Sequence, residues 1–204
     1  MTVTHEYPLG KIYAFDFDGT LTRRDSLLEF IRFAKGGKAF LRCFVHFSPL
    51  LVMMKLGFYP NWKAKQKVFS YCFGGMQVEK FNAICVRFAK EKSRLLRPKG
   101  VKRLREVLAE GSKAVIVSAS INNWVEPFFA GMPGVFVVGT IVEERDGALT
   151  GRFLTKNCYG PEKVTRLLQL YPERSQYYLT AYGDSRGDAE LLDFADESHF
   201  KPFR

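Results

Sequence analysis

The stretch that decides the fold is IYAFDFDGTLT, which runs from Ile12 to Thr22. Its apolar first residues predict a buried strand over Ile12–Phe17. The apolar run ends in two carboxylates, Asp16 and Asp18, which one residue separates and which glycine and threonine follow. Because burying two like charges without a cation is costly, the pair predicts a charged ligand rather than an ordinary turn.

The composition is typical of a soluble globular protein. The chain has 204 residues, of which 47% are hydrophobic and 25% charged, a balance that excludes a disordered chain. This length suffices for one core with a small appended subdomain. The formal net charge of +10 predicts a surface that attracts anions such as phosphates, nucleic acid or acidic lipid headgroups.

The cysteines and histidines do not form a metal-binding pattern. No C-x-x-C pair occurs, and the histidines, His5 among them, are not spaced with the cysteines as ligands. We therefore expect four buried free thiols in a reducing cytoplasm: Cys43, Cys72, Cys85 and Cys158. No basic segment followed by an apolar run opens the chain, so we expect a cytoplasmic protein without a secretory signal.

The periodicity of apolar residues divides the chain into two parts. From Asp25 to about Lys92 the pattern is helical, and after it short apolar strands alternate with amphipathic helices. The alternation predicts an α/β fold, a Rossmann-like parallel sheet with helices on both faces. The helical block is too long for a simple crossover. We therefore predict that residues 22–96 form a helical cap inserted into an α/β core made of residues 1–21 and 97–204.

Two acidic residues lie near the start of this helical block. Ser26 and Glu29 have the spacing of a capping box, which predicts an N-terminal capping role for Glu29. Alternatively, Asp25 and Glu29 could recognise an amine on a substrate, because they follow the first strand closely.

A strongly apolar segment, Ala39–Tyr59, lies inside the predicted cap. Arg42, Pro49 and Lys55 interrupt it, and the run between the charges is shorter than the roughly 20 residues of a membrane-spanning helix. We therefore expect a helix packed inside the cap. The alternative is a peripheral helix at the inner, anionic membrane surface, because basic residues flank the segment.

Polar side chains follow three of the predicted strands. Asp16 and Asp18 follow the first, Ser118 ends a later one, and Asp184 and Asp188 follow another. Ligands of open parallel sheets bind beyond the carboxyl ends of the strands. Carboxylates that converge there repel each other unless a cation joins them, and an all-oxygen ligand set suits Mg²⁺. Asp16 and Asp184 are therefore predicted magnesium ligands, whereas Asp188 by itself could be a residue that starts a helix.

The same edge of the sheet offers groups that bind phosphate. Ser118 and the main chain around Gly19 and Thr20 supply hydrogen-bond donors, and Lys163 supplies a cation from the first turn of a predicted helix. Ser118 alone would indicate a helix cap and Lys163 alone a surface residue, as we expect for Lys156. Together they predict phosphoryl transfer, which needs mainly positioning and charge neutralisation.

Four short motifs resemble, in order, those of phosphatases of the haloacid dehalogenase superfamily. They are DFDGT at Asp16–Thr20, Ser118 in VIVSAS, Lys163 in GPEKV, and GDSRGD at Gly183–Asp188. The resemblance covers nearly the whole chain. The helical insert after the first motif is similar to the cap of the phosphoserine-phosphatase-like branch of that superfamily.

The resemblance implies a role for each matching residue. Asp16 would be the nucleophile that forms an aspartyl-phosphate, and Asp18 would protonate the leaving oxygen and later activate water. The backbone carbonyl of Asp18 and the side chain of Asp184 would bind the metal, and Asp188 would bind it directly or through water. Ser118 and Lys163 would hold the phosphoryl group. The second aspartate favours a phosphatase over a dehalogenase, whose leaving group needs no protonation.

Three functional hypotheses follow. The first is a Mg²⁺-dependent phosphomonoester hydrolase acting on a small phosphorylated metabolite. The alternative is a lipid phosphatase at a membrane surface, because CYGPEKV and the apolar FSPLLVMMKLG are similar to bacterial phosphatidylglycerophosphate phosphatases. A non-catalytic module for anions or nucleic acid is the third. The acidic site and the lack of a basic-aromatic motif argue against it, so we expect no nucleic-acid partner.

Overall fold

The computed structural model of the chain describes residues 7–204. His5 lies outside the described residues. So does the start of the N-terminal segment, from which we expect no secretory signal. All four cysteines are buried free thiols, as predicted.

The strands form a parallel sheet and a separate hairpin. Among residues 7–204 the strands are β1 (Lys11–Phe15), β2 (Lys113–Ile121), β3 (Val135–Thr140), β4 (Val142–Arg145), β5 (Ala148–Phe153), β6 (Tyr178–Gly183) and β7 (Glu197–Phe200). The sheet has the order β3-β2-β1-β6-β7, and every neighbouring pair in it is parallel. The predicted α/β class is confirmed. Because β1 lies between β2 and β6, the carboxyl ends of these three strands meet at one edge.

Helices cover both faces of this sheet. They are α1 (Ser26–Lys35), α2 (Gly37–Lys55), α3 (Asn61–Phe73), α4 (Val78–Glu91), α5 (Pro98–Ala109), α6 (Asn122–Val125), α7 (Pro161–Leu170) and α8 (Ala189–Phe194). Helices α1–α4 follow β1 and precede β2, within the segment predicted to be helical. Assigning residues 22–96 to a separate cap stays a prediction.

The alternating side chains of β1 belong to two hydrophobic clusters. Tyr13 and Phe15 pack in a cluster that includes residues of α1, α3 and α4. Ile12 and Ala14 point to the other face, where their cluster includes residues of α7 and α8. Phe30 of α1 stacks on Trp124 with ring centroids 4.8 Å apart. The inserted helices therefore share one continuous core with the sheet.

The first turn of α1 differs from the predicted capping box. Asp25 is the N-cap, and its Oδ1 accepts a hydrogen bond from the amide of Leu28 at 3.2 Å. Ser26 is fully buried, and its hydroxyl is engaged by other side chains, whereas Glu29 pairs with Arg24 at 3.1 Å. The capping role predicted for Ser26 and Glu29 is wrong, because the Ser26 hydroxyl has partners elsewhere and the residue before it caps the helix.

Helix α2 is exposed, contrary to the expectation of a helix packed inside the cap. Cys43 is its one fully buried residue, and the Leu41, Val45 and Val52 side chains are 63%, 66% and 57% exposed. The helix packs against α1 and α3 on one side only. By length and composition alone, α2 is long and apolar enough to cross a membrane. The prediction is wrong because no element among residues 7–204 covers the other side of α2.

The β4–β5 hairpin lies against α3. Its turn is formed by Asp146 and Gly147, both with positive φ (50° and 73°), as the Asp-Gly sequence favours. The Gln66 side chain of α3 accepts a hydrogen bond from the Phe153 amide of β5 at 2.9 Å. This contact places the end of the hairpin beside the middle of α3.

Candidate active site

The turn after β1 brings the two aspartates of the opening stretch to the edge of the sheet. The Asp16 amide still donates to the Tyr182 carbonyl of β6, at 2.9 Å. Gly19 then adopts a φ of +88°, which side chains with a Cβ rarely adopt. A Cβ at this position would lie 2.5 Å from Asp184 Oδ2. Glycine is therefore required here both for the backbone turn and for the approach of Asp184.

A buried lysine joins two of the predicted site carboxylates. Lys163 Nζ lies 2.5 Å from Asp16 Oδ1 and 2.6 Å from Asp188 Oδ1, and it donates to the Val117 carbonyl at 2.9 Å. The side chains of Lys163, Asp16 and Asp188 are 2%, 7% and 1% exposed. Helix α7 thus delivers a desolvated cation to the carboxyl ends of β1 and β6.

Burial and charge shift the pKa values of this cluster. Burial raises the pKa of Asp16 to about 7, against the opposing effect of the Lys163 ammonium. Burial also acts to raise the pKa of Asp188, but Lys163 and several hydrogen bonds lower it overall. The pKa of Lys163 is raised, because its two carboxylate partners outweigh the effect of burial. Asp188 and Lys163 therefore form the charged pair, and Asp16 is the carboxylate whose charge is incompletely compensated.

Asp18 is held by two groups from different elements. Its Oδ1 accepts from the Ser26 amide of α1 at 2.6 Å, and its Oδ2 accepts from the Ser120 hydroxyl of β2. Burial and the nearby Asp25 carboxylate raise the pKa of Asp18. A carboxyl group with a raised pKa, fixed in orientation, has the properties of a general acid and base.

Three carboxylates could hold a metal ion. Asp16, Asp184 and Asp188 each offer an oxygen, and these atoms lie within 4.8 Å of one another. Asp16 Oδ2 and Asp184 Oδ1 are buried and have no hydrogen-bond partner among residues 7–204. The guanidinium of Arg204 pairs with the other oxygen of Asp184, so a cation already lies against this carboxylate. Unpaired buried carboxylate oxygens in an all-oxygen set fit a small, hard cation such as Mg²⁺.

The structure brings the other predicted phosphate ligands to the same region, but with other partners. Ser118 is fully buried, and its Oγ accepts from the Ser120 amide at 3.0 Å. The Gly19 amide donates to Thr22 Oγ1 at 3.1 Å, and Thr20 Oγ1 is buried without a partner in the described part of the chain. Their roles as phosphate ligands stay predictions.

A cavity of about 210 Å³ lies over the aspartates, and residues that sequence reasoning missed line it. Lys65 of α3 reaches across to donate to the Ala119 carbonyl at 3.0 Å, and Asn61 of the same helix lines the cavity too. No local signal identifies Lys65, because the docking of α3 on the sheet is set by tertiary packing. The sequence does carry a signal for Ser120, because it lies two residues after Ser118 in the same predicted strand and residues two apart in a strand share a face.

Comparisons with known proteins agree with this geometry. The sequence model of the haloacid dehalogenase-like hydrolases matches residues 13–193. Protein CicA of Caulobacter vibrioides is 33% identical over 195 residues, which cover 95% of this chain and 86% of that protein.

Two solved structures share the fold. A Bordetella pertussis protein of unknown function superimposes with a TM-score of 0.77 at 22% identity, covering 92% of this chain and 88% of that one. A phosphoserine phosphatase, solved as an analogue of its phospho-aspartyl intermediate, gives a TM-score of 0.61 at 18% identity, covering 93% and 85%. At these identities the likeness shows a common fold. With the sequence model covering most of the chain, the protein belongs to the haloacid dehalogenase-like hydrolase family.

Proposed function

We propose that this hydrolase is a Mg²⁺-dependent phosphomonoesterase that acts through a phosphorylated Asp16 on a small phosphorylated molecule. The observation that carries the proposal is the environment of Asp16. This buried carboxylate contacts a buried lysine on one oxygen, has its other oxygen free of partners among residues 7–204, and lies two residues before a fixed second carboxylate. Nucleophile, cation and acid thus meet at one small cavity.

In the first half of the reaction, a carboxylate oxygen of Asp16 attacks phosphorus, and the bond between phosphorus and the leaving oxygen breaks. The Asp18 carboxyl, whose pKa burial raises, donates its proton to that oxygen so that a neutral alcohol departs. Lys163 compensates the charge of Asp16 and of the transferring group throughout.

In the second half, the ionised Asp18 accepts a proton from water as the water attacks phosphorus. Inorganic phosphate leaves, and the Asp16 carboxylate is regenerated. Mg²⁺, when bound by Asp16, Asp184 and Asp188, would neutralise phosphate charge. Ser118 and the main chain of Gly19 and Thr20 are the proposed phosphate donors from the protein.

The relatives support this chemistry. A phosphoserine phosphatase of the same fold was solved as an analogue of a phospho-aspartyl intermediate. The all-oxygen donor set and the unpaired oxygens of Asp16 and Asp184 support the choice of magnesium.

The test is hydrolysis of a panel of phosphomonoesters by the purified protein. We expect turnover with Mg²⁺, none with EDTA, and loss of activity in Asp16→Asn. Acid quenching during turnover of a ³²P-labelled substrate should leave label on the protein that hydroxylamine removes, as an acyl phosphate requires. Absence of activity on every ester, or full activity of Asp16→Asn, would overturn the proposal.

Helix α2 favours a second candidate, a phosphatase that works on a lipid phosphate at an anionic membrane surface. Its exposed side carries Leu41, Val45 and Val52, and basic residues are spread along and beyond the helix. An apolar helix face combined with basic residues binds interfaces that contain acidic lipids. The net charge of +10 acts in the same direction.

Vesicle cosedimentation tests this candidate. We expect binding to vesicles rich in phosphatidylglycerol, weaker binding to neutral vesicles, and loss of binding in the double variant Leu41→Glu/Val45→Glu. Both residues are exposed, so this variant should keep its fold and its activity on soluble esters. Equal binding of wild type and variant, or no binding of either, would rule out α2 as a membrane anchor.

A further inference from the structure

A second cavity lies beside the site and belongs to no step of the proposed reaction. It has a volume of about 690 Å³ and lies between the start of α3 and the loop that joins β5 to α7. Asn61, Asn157 and Tyr159 line both this groove and the 210 Å³ site cavity, so the two spaces are adjacent. A group bound in the groove would therefore lie beside a phosphoryl group at Asp16.

The groove is lined by aromatic rings and, among residues 7–204, has one unpaired charge. Trp62 and Tyr159 are 44% and 46% exposed, and Phe153 completes the aromatic lining. Of its two charged residues, Glu162 is paired with Arg166 at 2.9 Å, and Lys156 is an exposed lysine. Recognition of a zwitterion in this groove would need an unpaired charge of each sign, and its lining offers the Lys156 ammonium but no unpaired carboxylate. Exposed aromatic rings instead bind apolar or planar groups.

We propose that the groove binds the leaving group of the substrate and selects phosphate esters of aryl or extended apolar alcohols over those of small zwitterionic or polyhydroxylated ones. The proposal rests on the proposed phosphatase function. The phosphoryl group would occupy the small cavity over Asp16, and the apolar part of the ester would pack between Trp62 and Tyr159. A large apolar space beside a small polar one matches a ligand with one ionic end.

Binding to the inactive Asp16→Asn protein tests the groove without requiring turnover. Trp62 is exposed and Trp124 is fully buried, so a ligand in the groove should change the emission of Trp62 alone. We expect phenyl phosphate and hexyl phosphate to bind at least about tenfold more tightly than glycerol phosphate or phosphoserine. Trp62→Phe should abolish most of the fluorescence change.

Steady-state kinetics of variants in which Asp16 is intact provide the second test. Trp62→Ala should raise KM for phenyl phosphate about tenfold and leave KM for glycerol phosphate nearly unchanged. Tyr71→Ala is the matched control, because it removes another exposed ring of α3 that stacks on His46 instead. Equal affinities for all four ligands, or equal effects of Trp62→Ala on both substrates, would overturn the proposal. If no ester is hydrolysed, the proposed function fails, while the fluorescence titration still decides about the groove.

A separate observation concerns how Asp18 is oriented. The Trp124 indole N–H donates to Ser26 Oγ at 3.2 Å, and Ser26 Oγ lies 3.0 Å from Ser120 Oγ, which bonds to Asp18 Oδ2. The exposed fractions of Trp124, Ser26 and Ser120 are 0%, 0% and 1%. These hydrogen bonds form a chain that connects Trp124, in the aromatic core, to the Asp18 carboxylate. The Trp124, Ser26 and Ser120 side chains of this hydrogen-bond chain are closed to solvent.

The groups at the two ends of this hydrogen-bond chain, the Trp124 indole and the Asp18 carboxyl group, determine which hydroxyl donates in each hydrogen bond between them. An indole N–H can only donate, and Asp18 Oδ2 accepts from the Ser120 hydroxyl. Ser120 therefore gives its one hydroxyl hydrogen to Asp18, and Ser26 must give its own to Ser120. We infer that Ser26, Ser120 and Trp124 are positioning residues that fix Asp18 for proton transfer to the leaving oxygen, an inference that also rests on the proposed function.

Leaving-group dependence distinguishes positioning from a merely structural role. A nitrophenolate departs without protonation, whereas an alkoxide needs the proton of Asp18. Ser120→Ala should lower kcat/KM for hexyl phosphate about tenfold or more and that for nitrophenyl phosphate less than about threefold. Ser120→Thr should restore most of the loss.

An NMR measurement that does not depend on activity tests the hydrogen-bond chain from Trp124 to Asp18. The indole N–H resonance of Trp124, assigned with the help of Trp62→Phe, should shift in both Ser26→Ala and Ser120→Ala. A uniform loss on both substrates in Ser120→Ala, or an unchanged Trp124 resonance in Ser26→Ala, would overturn the inference. Lack of any hydrolysis by the wild type would instead refute the phosphatase function, and the resonance would still report on the chain.

Discussion

Replacing Lys163 by methionine should destabilise the metal-free protein and nearly abolish its activity. Methionine keeps most of the length and apolar volume of the side chain, so the main loss is the charge that lies 2.5 Å from Asp16 and 2.6 Å from Asp188. All three groups are at least 93% buried, since their side chains are 2%, 7% and 1% exposed. Solvent therefore cannot replace the lost cation.

The magnitude follows from this burial. Removing one partner of a buried ion pair costs about 3–5 kcal/mol, because the other charge stays behind unpaired. For a domain of this size each kcal/mol lowers Tm by about 2–4 °C, so Tm should fall by about 6–20 °C. Activity on a phosphomonoester should fall by about 100- to 1,000-fold, as when a preorganised charge-stabilising donor is removed.

Thermal unfolding in EDTA, followed by circular dichroism, measures the stability change. Lys156→Met is the matched control, because Lys156 is an exposed lysine of the preceding loop, and it should change Tm by less than about 2 °C. Adding Asp16→Asn to Lys163→Met should recover part of the loss, because one unpaired buried charge is then removed. A Tm of Lys163→Met equal to that of Lys156→Met would refute the reasoning.

Two further predictions concern Asp16 and Gly19. Because burial raises the pKa of Asp16 from 3.8 to about 7, the folded metal-free protein binds a proton that the unfolded chain releases, so its stability falls as pH rises toward 7. In EDTA the free energy of unfolding should fall by about 2–3 kcal/mol between about pH 5 and pH 7. The free energy of unfolding of Asp16→Asn should lack this pH dependence, and parallel pH profiles of the two proteins would contradict the prediction. Gly19→Ala should lower Tm by about 2–8 °C and weaken Mg²⁺ binding about 10- to 100-fold, because the new Cβ would collide with Asp184 and the backbone φ at this position is positive. A calorimetric titration that shows unchanged Mg²⁺ affinity would refute this prediction.

The parts of the fold and site that the sequence predicts are those set by local pattern and by sheet topology. Asp16 and Asp184 follow apolar strands, and Ser118 lies in the second half of another. Parallel strands bring their carboxyl ends to one edge, so the proximity of these residues could be inferred without coordinates. The alternation of apolar strands with amphipathic helices likewise predicted the α/β class.

Features that depend on tertiary packing could not be predicted in this way. The spacing of Ser26 and Glu29 matches a capping box, but the Ser26 hydroxyl is taken up by Trp124 and Ser120, far along the chain. The apolar composition of α2 indicated burial, yet hydrophobicity does not say whether another element covers a helix. Lys65 reaches the site only because α3 docks beside β2.

The charge balance of the site predicts that magnesium and phosphate bind cooperatively. The three candidate metal ligands Asp16, Asp184 and Asp188 carry three formal negative charges, and Lys163 and Arg204, which pair with them, supply two positive ones, so this cluster has a net charge of minus one. A divalent cation or a phosphate dianion alone changes this balance by two charges, whereas both together leave it unchanged. Each should therefore favour the other, and coupling between two sites is typically about 1–3 kcal/mol, or roughly 5- to 150-fold in affinity.

Calorimetric titration of Mg²⁺ into the protein, with and without inorganic phosphate at constant ionic strength, measures this coupling. Phosphate should tighten Mg²⁺ binding at least about fivefold, and Mg²⁺ must tighten phosphate binding by the same factor, because linkage is reciprocal. Arg204→Gln should tighten Mg²⁺ binding in the absence of phosphate, since the guanidinium that pairs with Asp184 no longer competes with the metal. It should also reduce the coupling, because with the metal bound the site of this variant carries less positive charge for phosphate to neutralise. A Mg²⁺ affinity that phosphate leaves unchanged would show that charge compensation does not link the two ligands.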